Sequence, residues 1–210
     1  MIKELDELGC LTLQIRFFEE SFKKFFVEVM KKFNKSGIKV IELYIEDSIN
    51  LKESILEELI RENLRVTVVI FSSKKEINLS KGNPESKIIY TRKKIDKRGE
   101  EIYDKRLLTS NTKFFCEAKN FNVGLNKKVC IDETGAFKNY ISHEKIFGNV
   151  RDSKITDIIK LKEFKKKWRI SNDMVEKCKD CQFRYMCLSN SDIKEEEGKI
   201  IKLNYCNYDL

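Results

Sequence analysis

Three short apolar runs constrain the first third of the chain: LTLQIRFF (11–18), IKVIELYI (38–45) and LRVTVVIF (64–71). Each has strand length and is rich in β-branched or aromatic residues. Between them the apolar period changes. Phe22, Phe25, Phe26, Val29, Met30 and Phe33 recur at helical spacing, as do Leu51, Ile55, Leu56, Leu59 and Ile60. A strand–helix–strand–helix–strand order implies parallel strands joined by right-handed crossovers. The expected fold is therefore α/β, a parallel βαβαβ unit that is either a partial, half-TIM-barrel-like structure or a small open sheet.

Within the runs, Leu13, Ile15 and Phe17 alternate with Gln14 and Arg16. Ile41, Leu43 and Ile45 alternate with Glu42 and Tyr44, and Val66, Val68 and Ile70 with Arg65 and Thr67. The apolar set is expected to face the helices. A parallel sheet covered on both sides reads as apolar on both faces, so the mixed set either lines a cavity or groove or stays partly solvated. Residues 72–112 are polar, with a turn at Gly82, Asn83 and Pro84 and one further short strand, KIIY (87–90), continuing the sheet. A boundary is expected near 105–112, dividing the chain into 1–110 and 111–210. Beyond it, KKVCIDETGAFKNY (127–140) reads as a β-hairpin. Asp152 or Ser153 is placed to cap a helix carrying Ile155, Ile158, Ile159, Leu161 and Phe164.

The second half ends in a cysteine constellation. Cys178, Cys181 and Cys187 fall within ten residues, and Cys206 follows, giving C-x2-C-x5-C-x18-C. A Cys-x-x-Cys pair delivers two thiolates to one centre from a single turn; Cys187 can add a third and Cys206 the fourth. Four thiolates suit a tetrahedral Zn²⁺ or a [4Fe–4S] cluster, and spacing alone does not choose between them. Phe183, Tyr185, Met186 and Tyr205 are candidates to shield the site from water. The competing reading is four unrelated buried thiols.

CKDCQFRYMC followed by CNYD resembles the end of a SPASM domain, the cysteine-rich extension of radical S-adenosylmethionine peptide-modifying enzymes. With LQIRFF, KKVCIDETGAFKN, FGNV and the Trp168 helix, the chain more closely resembles the SPASM-domain peptide maturases of grasp-with-spasm systems. The resemblance implies a small cysteine-rich SPASM domain, with a hairpin and helices, over 111–210. It implies one [4Fe–4S] cluster on Cys178, Cys181, Cys187 and Cys206. A second auxiliary cluster is implied to be lost: one of its ligand positions falls on Ser191 and another on Asn139–Tyr140. Cys116 and Cys130 are then expected to be core residues. The Cys-x3-Cys-x2-Cys motif that holds the radical-generating cluster is absent, because Cys10 is the only cysteine before Cys116; the grasp-with-spasm relatives lack it too. They are longer at the N-terminus, so the resemblance implies a short form or a gene fragment.

The implied function is that of an accessory protein in the maturation of a ribosomally synthesised peptide (RiPP biosynthesis), acting with an ATP-grasp ligase on a precursor peptide. Two other readings are carried. One is a binding module stapled by zinc on the four cysteines, without a redox role. The other is an enzyme using Arg16, Glu42 and Tyr44 on the mixed sheet face. No acid–base or nucleophile geometry is legible, so whether the chain is an enzyme stays open. His143, the only histidine, is expected in an exposed loop; Phe114 and Phe115 are expected in the core; Glu57–Glu58 and Glu100–Glu101 read as solvated. There is no phosphate-binding loop and no dinucleotide fingerprint. The net charge of +8 comes from lysines spread through nearly every segment with acids interleaved, which describes solvated helix faces, not a nucleic-acid surface. Without a signal peptide or a long apolar run, a cytoplasmic protein that does not enter membranes is expected, with reduced cysteines. Open sheet edges make self-association an expectation.

Overall fold

The computed structural model describes residues 1–19, 25–75, 88–95, 111–203 and 206. The expected Phe22, the Gly82–Asn83–Pro84 turn, Glu100–Glu101, Tyr205 and most of the 105–112 boundary lie outside these residues. The chain divides into two compact units, Met1–Lys97 and Arg98–Leu210.

The first unit runs α1 (Ile2–Glu7), β1 (Thr12–Phe17), α2 (Phe26–Lys32), β2 (Val40–Glu46), α3 (Glu53–Glu62), β3 (Val66–Phe71) and β4 (Ile88–Tyr90). The four strands pair in the order β1-β2-β3-β4, all parallel. Ile15 lies opposite Leu43, and Leu43 opposite Val68. Side chains alternate along each strand, so this register puts the apolar sets of neighbouring strands on one face. That face packs on Phe26, Met30 and Phe33 and on Leu56, Leu59 and Ile60, from and beside the two crossover helices. Each such side chain contributes about 1.5–3 kcal/mol on burial. Phe25 departs from the expected face: it precedes the first turn of α2 and is exposed.

The mixed face is a partly solvated ladder. Gln14 Nε2 donates to Glu42 Oε2 (3.0 Å), Arg16 Nε donates to Gln14 Oε1 (2.9 Å), and the Arg16 guanidinium lies 5.7 Å from the Tyr44 ring centre. The three polar residues of the enzyme reading are thus engaged along one row. Arg65 does a different job. Its guanidinium donates to the carbonyls of Phe33, Asn34, Ser36 and Ile38 at 2.6–3.1 Å. These follow the last turn of α2, where carbonyls lack helical partners.

The second unit begins with α4 (Thr112–Asn120), capped by Asn111 Oδ1, which accepts from Phe114 N at 2.8 Å. A hairpin follows as expected, β5 (Cys130–Ile131) against β6 (Phe137–Lys138). Asp132 organises its turn: Oδ1 accepts from Thr134 N, Thr134 Oγ1 and Ala136 N, and Oδ2 pairs with Lys138 at 3.0 Å. Burial opposes ionisation of Asp132, but these donors outweigh it and hold the carboxyl down at about 2.

The expected single helix after Asp152 is two short ones, α5 (Ile155–Ile158) and α6 (Lys162–Lys166), separated by extended backbone at Leu161. Neither Asp152 nor Ser153 caps α5. Asp152 Oδ1 is taken by Asn149 N and Ser153 Oγ, inside the preceding turn. The unit closes with an unexpected hairpin, β7 (Ile193–Glu196) and β8 (Lys199–Lys202). Glu197 and Gly198 both have positive φ, the geometry of a two-residue turn that matches strand twist. Among the described residues, no helix is long and apolar enough to cross a membrane.

Candidate metal centre

The cysteine run sits on a chain of short 3-10 turns, Lys167–Arg169, Asn172–Met174 and Cys178–Asp180. Strand β8 docks beside its beginning: Val175 bridges Ile200 in parallel, and Glu176 N donates to Ile200 O at 2.7 Å. The chain then makes a three-residue γ-turn. Lys177 has φ 65° and ψ −44°, and Cys178 N donates to Glu176 O at 2.9 Å. Positive φ of this kind costs energy in a residue with a Cβ, and the turn leads directly into Cys178.

Cys178 packs against the small apolar cluster of Ile170, Val175 and Ile193. Cys181 follows one turn later, its N–H donating to Cys178 O at 3.1 Å, and its sulfur accepts from Phe183 N at 3.4 Å. Cys187 comes after the arc Gln182–Met186 and, like Cys178 and Cys181, is partly buried; Cys206 is exposed. None of the seven cysteines is in a disulfide. The donor set fits a thiolate-bound centre in its chemistry: three thiols on one turn segment, half shielded, with an amide N–H directed at one sulfur. Such bonds to sulfur tune iron–sulfur potentials. It is not gathered, since among the described residues no three His, Cys, Asp or Glu side chains converge to hold a metal ion.

The surroundings correct several expectations. His143 is 1 % exposed, not a surface loop residue. Its Nε2 lies 2.9 Å from Asn190 O and so carries the proton, which leaves the Nδ1 lone pair 3.8 Å from Asp192 Oδ1. Asp192 is itself bound by Lys167. Burial pushes the His143 pKa down, against the pull of Asp192. Cys116 is exposed and Cys130 only partly buried, so the expectation of two core thiols fails. Phe115 is also exposed, and its ring meets Tyr185 edge-on at 4.9 Å. Of the positions at which the resemblance lacks ligands, Ser191 and Asn139 are buried and Tyr140 is partly buried. Asn139 Nδ2 donates to Phe164 O (2.9 Å), and Ser191 Oγ to Asp192 O (3.2 Å). Gly124 closes this side. A Cβ there would lie 2.0 Å from Ser189 O and 2.8 Å from Leu188 O, so the turn after Asn122 and the segment after Cys187 cross backbone to backbone.

Residues 118–182 match the family model of SPASM, an iron-sulfur cluster-binding domain. The match begins in α4, takes in the β5–β6 hairpin with Cys130, and ends just past Cys181, so two of the four candidate ligands, Cys187 and Cys206, follow the SPASM segment. Neither the curated proteins nor the solved structures contain a match to the chain.

Sequence reasoning missed Asp173. Its carboxylate accepts from Arg184 Nε (2.9 Å) and from the Tyr185 hydroxyl (3.0 Å), both within the arc between Cys181 and Cys187. The one signal for it in the sequence is an acid shortly before a cysteine run that contains Arg and Tyr.

Proposed function

We propose that Cys178, Cys181, Cys187 and Cys206 hold one [4Fe–4S] cluster, and that the chain is an accessory SPASM-domain protein in the maturation of a ribosomally synthesised peptide. Its partners in this reading are a precursor peptide and an ATP-grasp ligase, as in the grasp-with-spasm systems it resembles, in a reducing cytoplasmic setting. The observation that carries the cluster assignment is the thiol-bearing turn at the end of the SPASM segment, with Phe183 N–H on the Cys181 sulfur. A bound cluster would cross-link this turn to the chain beyond β8 and supply a one-electron couple. The chain's own residues hold the turn to β8 through Val175 and Glu176 and shield Cys178 with Ile170, Val175 and Ile193. Four parallel strands in sequential order are compatible with a partial barrel.

The test is anaerobic purification followed by iron, sulfide and zinc analysis and an absorption spectrum. About four irons and about four sulfides per chain, with a broad visible band lost in Cys181→Ala, are expected. Stoichiometric zinc without sulfide overturns the iron assignment in favour of a zinc staple on the same four cysteines. For the maturation role, the measurement is co-purification with an ATP-grasp ligase and a short precursor encoded beside this gene; no such neighbours and no such complex would refute it.

A further inference from the structure

The arc Gln182–Met186 separates the second and third candidate thiols, and its backbone donates from Phe183 N to Cys181 Sγ (3.4 Å), from Arg184 N to Cys181 O (3.2 Å) and from Met186 N to Phe183 O (2.8 Å). Two consecutive residues from the preceding 3-10 turn, Asn172 and Asp173, grip it from outside. Asp173 Oδ1 accepts from Arg184 Nε and Oδ2 from the Tyr185 hydroxyl. Asn172 Nδ2 donates to Arg184 O at 2.6 Å. Arg184 in turn donates through Nη1 to Cys181 O at 3.1 Å. One carboxylate therefore fixes two neighbouring side chains, and one of those holds the carbonyl of a thiol-bearing residue.

The bracket extends in two directions. Arg184 stacks on the Tyr185 ring with 4.5 Å to its centre, and that ring meets Phe115 of α4. On the other side, Lys202 Nζ, at the end of β8, donates to Asn172 Oδ1 at 2.9 Å. The strand that leads toward Cys206 is thus tied to the same turn that grips the arc between Cys181 and Cys187. Asp173 is half-exposed, with side-chain exposure of 39 %, and Arg184 has 30 %. An isolated pair at such exposure contributes little to stability. Its geometry, with both carboxylate oxygens used on adjacent residues of one loop, serves to orient it.

We infer that Asp173 is the positioning residue of the thiol site: it fixes Cys181 and Cys187 relative to one another by holding Arg184 and Tyr185. This rests on the proposal that these thiols bind one metal centre. Outer groups that orient ligands typically contribute about 10–100-fold in metal affinity, and that is the effect expected here.

The experiment has two arms on the full-length chain. In the first, metal-free protein is titrated with Co²⁺, read by thiolate-to-metal absorption. Asp173→Ala is expected to weaken binding by about tenfold or more, with Asp173→Asn intermediate because the amide keeps one acceptor oxygen. In the second, alkylation of each cysteine is followed by mass spectrometry in metal-free protein. Cys181 and Cys187 are expected to react several-fold faster in Asp173→Ala, with Cys10 unchanged. Wild-type affinity together with wild-type alkylation rates overturns the inference. If the wild-type chain takes up neither cobalt nor iron, the metal proposal fails and the alkylation arm alone decides on Asp173. If Asp173→Ala unfolds the unit, so that the partly buried Cys130 also accelerates, Tyr185→Phe replaces it. That variant removes one of the two bonds, and unchanged Cys181 and Cys187 rates there refute the positioning role.

Discussion

Among the described residues, the unit Met1–Lys97 buries sixteen apolar side chains and three polar ones, Ser36, Asn63 and Ser73. The unit Arg98–Leu210 buries eleven apolar side chains and seven polar ones, among them Asn139, His143, Asn172 and Ser191. The first unit places its apolar groups on regular strands and helices, where one face of a periodic element meets another. Beyond α4, the second has strands of two or four residues and helices of four or five, too short to be stable by their own backbone bonds. Named polar contacts replace regularity there: Asp132 in the hairpin turn, Asn139 on Phe164 O, His143 on Asn190 O, Asp173 on the cysteine arc. The buried ones among them, Asn139 and His143, specify one arrangement through the bonds they make, and losing such a bond is expensive. A unit built this way is suited to holding a centre in fixed geometry, and it is sensitive to single polar substitutions where the sheet is sensitive to lost volume.

The largest effect is expected in the sheet. Leu43, fully buried in the centre of β2, should cost about 3 kcal/mol as Leu43→Ala through lost burial and the cavity left behind. Hydrogen exchange should show the loss in the amides of β1–β4 and leave β5–β8 protected. An equal loss in both units would break the comparison. In the second unit the counterpart is Asp132→Asn, expected to cost about 2 kcal/mol at pH 7, from a pKa held at about 2 against 3.8 when unfolded. Because the folded pKa is depressed, this contribution is complete above about pH 4 and is lost as pH falls toward 2. A urea-melt series across that range in wild type and Asp132→Asn should converge at the acid end, and parallel curves would refute the assignment.

His143 sharpens the contrast at milder pH. Its pKa is lowered from 6.5 by burial, so the unfolded chain binds the proton first and stability falls as pH drops below about 6.5. His143→Gln should flatten that slope, with Asp192, Lys167 and Lys138 the charges that face the ring. An unchanged slope would mean that the proton is taken elsewhere. The smallest effect is expected at Lys177. Lys177→Gly should be neutral or stabilise by up to about 1 kcal/mol, since glycine adopts positive φ without strain; clear destabilisation would show that the side chain, not the turn, matters.

The same contrast explains what was legible in the sequence. Strands β1–β3 and helices α2 and α3 announce themselves because Leu43, Val68, Met30 and Leu56 recur at the period of the element that buries them. The β5–β6 hairpin is legible from apolar runs around Gly135. The four cysteines are legible as a spacing, and the SPASM segment covers two of them. The buried His143, the split of α5 from α6 and the grip of Asp173 are not legible, because each depends on a polar contact. His143 bonds to a carbonyl 47 positions away and Asp173 to a side chain 11 away, distances over which no periodicity operates. Asp152 misled because an acid before a helix looks like a cap whether or not a nearer turn uses it. The β7–β8 hairpin was hidden by its charged side chains, although Glu197–Gly198 carries a turn signal.

Gly124 has a consequence for how this unit tolerates change. Its neighbours across the gap are main-chain atoms of Leu188 and Ser189, so a side chain introduced there meets a peptide group that no second substitution can trim. Compensation has to come from moving the segment itself, and that segment begins at Cys187. A mutational scan would therefore find an intolerant site in a turn that holds no ligand, with no suppressor at the residues it touches, and drift in this loop is tied to the placement of a thiol more than sixty residues later in the chain.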